Sequence, residues 1–417
     1  MRSRELRLEF HVSRANMSGP LQKIIANRYG GRNLPVTLVL PDGGRVPLSS
    51  DAEIEILART WRGLKALAAP AMGALARAYV HNDIDFTGSA RRAAAIAERM
   101  VGEISHGRDS LTTRWRLWRH QQRSNRANIG YHYDVSNAFY RLWLDSQLVY
   151  SCAYFRSEGD TLDDAQAGKL DHICRKLRLG PGDRFLDIGC GWGALLFRAA
   201  QQHGVQATGI TLSQNQFEYV SAEIAARGLA GRVRVELHDY LDLPDDTLYD
   251  KIASVGMFEH VGIARFPQYF GKIRRILKPG GLVLNHGITH NPLGADSLGS
   301  GIGEFVDEYV FPGGELMHVT TVVEEMSRQG LEVWDAECLR PHYAKTLWSW
   351  VDRLEARRDE ARVMVGEKRL RTWLTYMAGS AHAFARGWIS IYQLLGIKMQ
   401  PDGSASYPAT RAHVYQT

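Results

Sequence analysis

Long apolar runs are missing from this 417-residue chain. Nowhere do about eighteen uncharged apolar residues follow one another, and the beginning, MRSRELRLEF, lacks the apolar core of a secretion signal. These absences predict a cytoplasmic protein that does not span a membrane. Cysteine is also scarce, and Cys152, Cys174, Cys190 and Cys338 show no paired spacing. We therefore expect reduced thiols, no disulfide framework and no metal site.

Acidic residues are outnumbered, because 45 Asp and Glu stand against 51 Lys and Arg, a formal net charge of +6. This balance indicates an acidic partner, either nucleic acid or an anionic membrane surface. Part of the excess lies in TTRWRLWRHQQRSNRA, where arginines alternate with Trp115 and Trp118. The arginines of this cluster are Arg114, Arg116, Arg119, Arg123 and Arg126. Tryptophan beside arginine suits the headgroup region of a membrane, but a linker helix packed through its tryptophans explains the pattern equally well.

The first 110 residues predict a small α+β domain. LPVTLVLPDGGRVPL contains two short alternating runs around the Asp-Gly-Gly sequence at 42–44, which is typical of a β-hairpin. Alanine-rich stretches predict helices at 53–68, 70–80 and 89–104. Residues 111–130, which hold the arginine cluster, predict a basic linker.

Residues 131–417 predict a second, larger domain of the α/β class. From about residue 160, strands such as RFLDIG and VQATGITL alternate with helices such as GALLFRAAQQHG. This alternation predicts a parallel sheet with helices on both faces. Ligands of such sheets bind beyond the carboxyl ends of the strands, where the strand order reverses.

The stretch FLDIGCGWG places Asp187, Gly189, Gly191 and Gly193 at the end of the first strand of this domain. Glycines let a ligand lie against the backbone, and the following helix offers free N–H groups. The dinucleotide pattern needs a glycine at position 194, where Ala194 stands. An acid two residues before the first glycine is instead the pattern of S-adenosylmethionine (SAM) enzymes, and LKPGG at 277–281 is a second mark of them. The sequence predicts a Rossmann-like class I SAM-dependent methyltransferase domain.

The next strand ends carry further candidates for cofactor binding. GITLSQNQ has no acid for the ribose hydroxyls, so Thr211, Ser213 and Gln216 are expected to donate and accept in its place. After the third strand, Asp239 could accept from the adenine amino group and Tyr240 could stack on its ring. Each of these residues taken alone also fits a polar strand end that faces water.

Several stretches resemble the cyclopropane-fatty-acyl-phospholipid synthases and the related mycolic acid cyclopropane synthases. They are HYDVSNAFYRLWLD, YSCAYF, LDIGCGWG, GITLSQNQ, VGMFEHVG, YFGKIRRILKPGG, EYVFPGG and HYAKTLWSW. The resemblance covers about residues 130–400 in order. In the first domain, ARAYVHNDIDFTG also resembles the leader domain of longer family members, which is thought to help hold lipid.

The resemblance implies a reaction and a set of residues. The cis double bond of a phospholipid acyl chain attacks the SAM methyl group, and the resulting carbocation closes to a cyclopropane ring when a proton leaves to bound bicarbonate. The groups matching the family's bicarbonate ligands are Cys152, Glu259, His286, Ile288 and Tyr343, and Tyr150 and Ser151 match cofactor ligands. The Glu259 carboxylate is expected to orient the anion and to favour the nearby cation.

The resemblance also implies partners and leaves alternatives open. We expect an unsaturated phospholipid in an anionic membrane, peripheral attachment to the inner face of that membrane, no nucleic acid, and room for a homodimer. Taken alone, Glu259 could be a helix cap, His286 and Tyr343 core residues, and Cys152 an inert thiol. Two departures from relatives stand out: Ser380 where some carry cysteine, and Phe155 where tryptophan is frequent.

Three other functions, two enzymatic and one non-catalytic, fit parts of the same pattern. A sister reaction methylates the double bond and yields a methyl branch, and related enzymes methylate small amines. An amine would need an acidic or aromatic cage, which the leader domain and basic surface argue against. A non-catalytic lipid-binding protein that retains SAM would have no use for Glu259.

Overall fold

A computed structural model describes residues 25, 27–29, 32–102, 136–291, 301–310 and 315–415. The chain divides into two units, Met1–Ile104 and Ser105–Thr417. The predicted linker at 111–130 and its arginine cluster lie outside the described residues. Within the described ranges, no helix has the length and apolar character needed to cross a bilayer.

The N-terminal unit is a four-stranded sheet with helices. Its strands are β1 (Val36–Val39), β2 (Arg45–Pro47), β3 (Ile54–Ala58) and β4 (Ile84–Phe86), in the spatial order β2-β1-β3-β4. Its helices are α1 (Trp61–Ala68), α2 (Met72–Val80) and α3 (Ala90–Val101). The predicted hairpin is confirmed, because β1 and β2 pair antiparallel with Leu38 opposite Val46.

The predicted helix over 53–68 is wrong in its first half. Residues Ile54, Ile56 and Ala58 alternate with more exposed neighbours, and this period of two forms a strand that pairs in parallel with β1. The helix begins only at Trp61, where the Thr60 side chain accepts a hydrogen bond from the backbone N–H of Gly63. The alanine content of the stretch indicated a helix, but alternating burial against the sheet decided its first residues.

The larger unit has seven strands and its helices follow in the predicted alternation. The strands are β5 (Arg184–Ile188), β6 (Gln206–Ile210), β7 (Val233–Glu236), β8 (Tyr249–Val255), β9 (Leu277–His290), β10 (Glu332–Cys338) and β11 (Ile389–Ile397). The helices before β9 are α4 (Asn137–Tyr140), α5 (Leu162–Lys176), α6 (Ala194–His203), α7 (Gln214–Ala226) and α8 (Phe266–Ile276). After β9 come α9 (Ile302–Tyr309), α10 (Val319–Arg328), α11 (Arg340–Ala356), α12 (Arg358–Val365), α13 (Glu367–Arg386) and α14 (Ala412–Tyr415).

The spatial order of the strands is β10-β11-β9-β8-β5-β6-β7. Neighbours from β9 to β7 run parallel, and only β11 runs antiparallel to its two neighbours. Both faces are buried: α5, α6 and α7 pack on one, and α8 and α10 pack on the other. The predicted parallel sheet with two helical layers is confirmed, and its order reverses between β5 and β8.

Gly287 in β9 allows a close approach between this strand and the turn that follows β8. A side-chain carbon added there would lie 1.7 Å from the Phe258 ring, which fills the space above the strand. Phe258 begins a short 3₁₀ turn, Phe258–His260, that also contains Glu259. Without a side chain at 287, this turn sits directly against β9.

Replacing Gly287 with alanine should destabilise the larger unit. The added methyl group forces the ring or the strand to move, an overpacking that costs about 1–3 kcal/mol of the free energy of unfolding. The control is Gly379→Ala in α13, where the added carbon meets no described atom within 4 Å outside its own helix. Alanine should stabilise that helix by up to about 1 kcal/mol. Urea-induced unfolding measures both, and equal stability of the two variants would contradict the crowding at Gly287.

Candidate active site

A pocket lies at the carboxyl ends of β5, β6 and β8, beside the point where the strand order reverses. Nine of the ten cofactor residues expected from the sequence line it: Tyr150, Ser151, Asp187, Gly189, Gly191, Thr211, Gln216, Asp239 and Tyr240. The tenth, Ser213, caps α7 instead, because its side chain accepts from the backbone N–H of Gln216 at 3.4 Å. The pocket therefore joins expected residues that are up to ninety positions apart in the sequence, from Tyr150 to Tyr240.

The glycine turn after β5 leaves room for a ligand. Gly191 has a left-handed φ of 56°, and a side-chain carbon placed on it would meet no described atom within 4 Å. The backbone conformation favours glycine, and the open space beside it belongs to the pocket. These two properties fit a cofactor that lies against the backbone.

Polar groups on the next strand ends are held in place before any ligand binds. The Thr211 hydroxyl donates to Gln216 Oε1 at 2.8 Å, which leaves the amide N–H groups of Gln216 for a ligand. Asp239 accepts from the backbone N–H of Leu241 at 3.0 Å. The ring of Tyr240 packs edge-on against Tyr269, with centroids 5.3 Å apart. This wall of the pocket combines hydrogen-bonding groups with an aromatic surface, as an adenosine group requires.

Lys169 on α5 is a charged residue of the pocket that the sequence did not reveal. It is only 2% exposed, and its ammonium group donates to Ser151 Oγ at 2.9 Å. Burial lowers its pKa to about 8 in spite of the nearby Asp145 and Asp187 carboxylates. Burial likewise raises the pKa of Asp187 to about 7, against the opposing charge of Lys169. Two opposite charges in a dry pocket suit the zwitterionic amino-acid end of SAM, so the residues present fit this cofactor.

Other residues that line the pocket were not expected from the sequence, among them Met257, His260 and Trp192. Met257 and His260 follow β8, and Trp192 lies in the glycine turn, where its indole N–H donates to Asn137 Oδ1 at 2.9 Å. Burial lowers the pKa of His260 to about 4, so its ring is neutral at physiological pH. A neutral ring adds no positive charge beside a sulfonium cofactor. The spacing of Gln166, Lys169, His172 and Lys176, which places four polar residues on one face of α5, was the signal in the sequence that could have found Lys169.

The YSCAYF segment runs between α5 and α11. On one side, Gln166 Nε2 of α5 donates to the backbone carbonyl of Ser151 at 2.9 Å. On the other, the backbone N–H of Ala153 donates to Thr346 Oγ1 at 3.1 Å, and that of Phe155 to His342 Nδ1 at 3.1 Å. Cys152 between them is fully buried, and burial raises the pKa of its thiol well above the ordinary range. The thiol is therefore not an activated nucleophile.

Glu259 places its carboxylate in the interior at the end of β8. Oε1 accepts a hydrogen bond from the backbone N–H of Ile288 at 2.7 Å, whereas Oε2 is buried without a hydrogen-bond partner among the described residues. Burial raises the pKa of this carboxyl group to about 7, although the Ile288 N–H opposes the shift. At neutral pH the group is thus close to half protonated and can either accept or donate a proton.

His286 lies on β9 two positions before Ile288 and is fully buried. Its Nε2 atom has no hydrogen-bond partner among the described residues. Burial, assisted by the charges of Lys169 and Lys176, holds its pKa well below the ordinary value. Of the residues expected from the sequence, His286 and Ile288 thus lie on one strand, and Glu259 is bound to that strand through the Ile288 N–H group.

Cys152 and Tyr343 both contact the backbone carbonyl group of Leu339, the residue before α11. Cys152 Sγ lies 3.8 Å from the carbonyl oxygen of Leu339, and Tyr343 follows one helical turn later on α11. The Tyr343 ring contacts Phe384, with centroids 4.7 Å apart. Tyr376 on α13, which was not expected from the sequence, lies near both Tyr150 and Glu259. It forms a hydrogen bond with the Tyr150 side chain, and burial together with the charge of Glu259 raises its pKa.

The strand order, the glycine turn after β5 and the pocket above the strand ends together define a class I SAM-dependent methyltransferase. Within that class, residues 120–394 match the family described as mycolic acid cyclopropane synthetase, and the chain belongs to this family. This confirms the resemblance read from the sequence.

Relatives agree with this assignment. The chain is 43% identical over 384 residues to a probable fatty acid methyltransferase of Pseudomonas putida, covering 92% of this chain and 97% of that protein. Cyclopropane mycolic acid synthase 1 of Mycobacterium tuberculosis is 37% identical over 275 residues, covering 64% and 95% of the two chains. The crystal structure of mycolic acid cyclopropane synthase CmaA1 complexed with SAH and CTAB matches with a TM-score of 0.62 and 36% identity, covering 66% of this chain and 99% of that one.

Gly191→Val should weaken SAM binding by at least about tenfold, because its branched side chain would occupy the pocket beside the glycine turn. Strain alone does not explain such a loss if a matched variant keeps its affinity. Gly228→Val is that control: φ is 64°, the space around it is open, and it lies outside the pocket. Both variants carry a backbone strain of about 1–2 kcal/mol. Titration calorimetry showing wild-type affinity for Gly191→Val would reject the assignment of this space to the cofactor.

Glu259→Gln should change the pH dependence of stability. The carboxyl group binds its proton more tightly in the folded protein than in the unfolded chain, where its pKa is 4.5. Its contribution to the free energy of unfolding is therefore most favourable below pH 4.5 and falls as the pH rises towards 7. Glutamine removes this loss. The free energy of unfolding of the variant should therefore gain on wild type by about 3 kcal/mol between about pH 4.5 and 7, and then level off. Urea titrations across this range measure the difference, and a constant offset would show that the carboxyl group is not desolvated.

Proposed function

We propose that this enzyme transfers a methylene group from SAM to the cis double bond of an unsaturated acyl chain in a phospholipid, and so forms a cyclopropane ring. The observation that carries the proposal is the pair of buried polar atoms, Glu259 Oε2 and His286 Nε2, that have no partner among the described residues. Buried groups of this kind are costly unless a ligand satisfies them. A small oxyanion such as bicarbonate can accept from one and donate to the other.

The roles of the residues follow from their surroundings. SAM supplies an electrophilic methyl group when bound, and bicarbonate would supply the acceptor for the proton lost from that carbon. Glu259 would orient the anion through its free oxygen, while Ile288 N–H holds the other. His286 would donate to the anion. Tyr343 and Cys152 would complete the site, Cys152 through its backbone because its thiol stays protonated.

The pKa of Glu259 sharpens this proposal. With a pKa of about 7, the carboxyl group is about half ionised at neutral pH, and its ionised form accepts a hydrogen bond from the OH group of bicarbonate and opposes the positive charge that develops on the substrate. The anion remains free to take the proton from the transferred carbon. The burial of the group therefore suits both binding of bicarbonate and stabilisation of a carbocation.

An acyl chain is the proposed substrate because the wall beside the pocket is aromatic and dry. Around Tyr150, ring centroids of Trp143 and Trp350 lie 5.4 and 5.3 Å away, and Trp373 lies 6.2 Å away. Trp143 and Trp350 are fully buried. Such a wall excludes water from a carbocation, and its ring faces attract positive charge.

The proposal includes a membrane as the source of the chain. The double bond lies mid-chain, so the enzyme must draw lipid from a bilayer while it stays at the surface. Each arginine of the cluster would contribute about 1 kcal/mol to the free energy of binding to an anionic leaflet. This part of the proposal rests on the sequence, because the cluster lies outside the described residues.

A methyl-branched product is the second candidate. It is favoured by the similarity of 92% of this chain to the probable fatty acid methyltransferase of Pseudomonas putida. In that reaction the same carbocation would lose a proton from a neighbouring carbon of the chain, which leaves a methyl-branched unsaturated chain, and a separate reductant would later saturate it. The two candidates share the cofactor, the substrate class and Glu259, and differ only in the fate of the proton on the transferred carbon.

Product analysis distinguishes them. Purified enzyme, SAM and vesicles of unsaturated anionic phospholipid should give a product heavier by one CH₂ whose ring protons resonate upfield by NMR. Removal of dissolved bicarbonate should lower turnover, and its return should restore it. Glu259→Gln should bind SAM normally and lose at least about a hundredfold in turnover. A branched chain would favour the second candidate, and unchanged turnover of Glu259→Gln at saturating substrate would reject the role of this residue.

A further inference from the structure

Three side chains form a row across the sheet on the face that α5 covers. The strand register places Glu337 of β10 opposite Gln393 of β11, and Gln393 opposite His286 of β9. Gln393 and His286 are both fully buried. Side chains directly opposite on neighbouring strands point to the same face, so each member of the row can contact the next.

The inner contact of the row is specific. Gln393 Nε2 lies 3.2 Å from His286 Nδ1. An amide nitrogen can only donate, so Nδ1 is the acceptor of this bond. A neutral imidazole carries one N–H group, and if Nδ1 accepts, the proton must be on Nε2.

The outer end of the row leaves this amide to His286. Glu337 Oε2 lies 2.6 Å from both His172 Nε2 and Lys176 Nζ of α5, so it is already engaged. Burial alone would raise the pKa of Glu337, but the His172 hydrogen bond and the Lys176 charge lower it to about 2. Because the Glu337 carboxylate is already bound by His172 and Lys176 of α5, it does not compete with His286 for the Gln393 amide.

Nε2 of His286 is the atom that then faces a ligand. It has no hydrogen-bond partner among the described residues, and it belongs to a residue two positions from the N–H group that holds Glu259. An N–H donor left unsatisfied in the interior destabilises the fold, so binding of a group that accepts from it is favoured. In the other tautomer, Nε2 would carry a lone pair, which would repel an anion.

We propose that Gln393 is a positioning residue: by donating to Nδ1, it fixes the neutral ring of His286 in the tautomer that carries its proton on Nε2, ready to donate to an oxyanion. The inference rests on the proposed function for the identity of that anion, but the tautomer itself does not depend on it. It adds to the site a residue that is 107 positions from His286 in the chain.

The test reads the tautomer directly. The enzyme labelled with ¹⁵N-histidine, without substrate or bicarbonate, is examined by long-range ¹H–¹⁵N NMR, and loss of one signal set in His286→Phe assigns the residue. We expect a protonated Nε2 and an unprotonated Nδ1. Gln393→Met keeps the side-chain length and removes the donor, so the Nε2-protonated fraction should fall. Ser390→Ala on the same strand, where Ser390 contacts Cys338, should leave it unchanged.

Kinetics separate positioning from a merely structural role. Gln393→Met should lower kcat by roughly 10- to 100-fold, the usual effect of removing a group that orients a functional histidine, while SAM affinity and the unfolding midpoint stay close to wild type. A proton on Nδ1 of His286 in the wild-type enzyme would overturn the inference whatever the product is. Conversely, if Nε2 is protonated but turnover does not depend on bicarbonate, bicarbonate is rejected as the anion and the positioning role of Gln393 stands.

Discussion

The hydrogen bond from Ile288 N–H to Glu259 Oε1 sets the position of the acid on which the site is built. A carboxyl group in the interior needs a partner, and a backbone N–H group of a central strand is a rigid one. The contact requires the turn after β8 to lie directly on β9, which the missing side chain of Gly287 allows. The second oxygen of Glu259 and the ring of His286 are left with hydrogen-bonding capacity as a result.

Burial gives this acid a property in common with two charged residues of the cofactor pocket. Burial moves the pKa values of Lys169, Asp187 and Glu259 towards neutrality. Each of these groups can therefore change its protonation near neutral pH when a charged ligand enters. A sulfonium cofactor brings positive charge into the pocket, and the Asp187 carboxyl group that lines it can balance that charge.

The sequence predicted what local motifs determine. The glycine turn, the strand ends at Thr211 and Asp239, and the alternation of strands and helices follow from short patterns, and the structure gathers them into one pocket. The strand β3 was missed because burial against β1 outweighed its helix-like composition. Gln393 and Tyr376 were missed because their importance comes from contacts with residues distant in the chain. Local patterns carry no information on such pairs.

Helix α5 carries a buried polar stripe formed by Gln166, Lys169, His172 and Lys176. Gln166 and Lys169 hold the segment beside the cofactor, whereas His172 and Lys176 hold Glu337 at the end of the row that reaches His286. The same helix therefore fixes both the segment that lines the pocket and the acidic end of the row, so a substitution that displaces α5 would disturb both places.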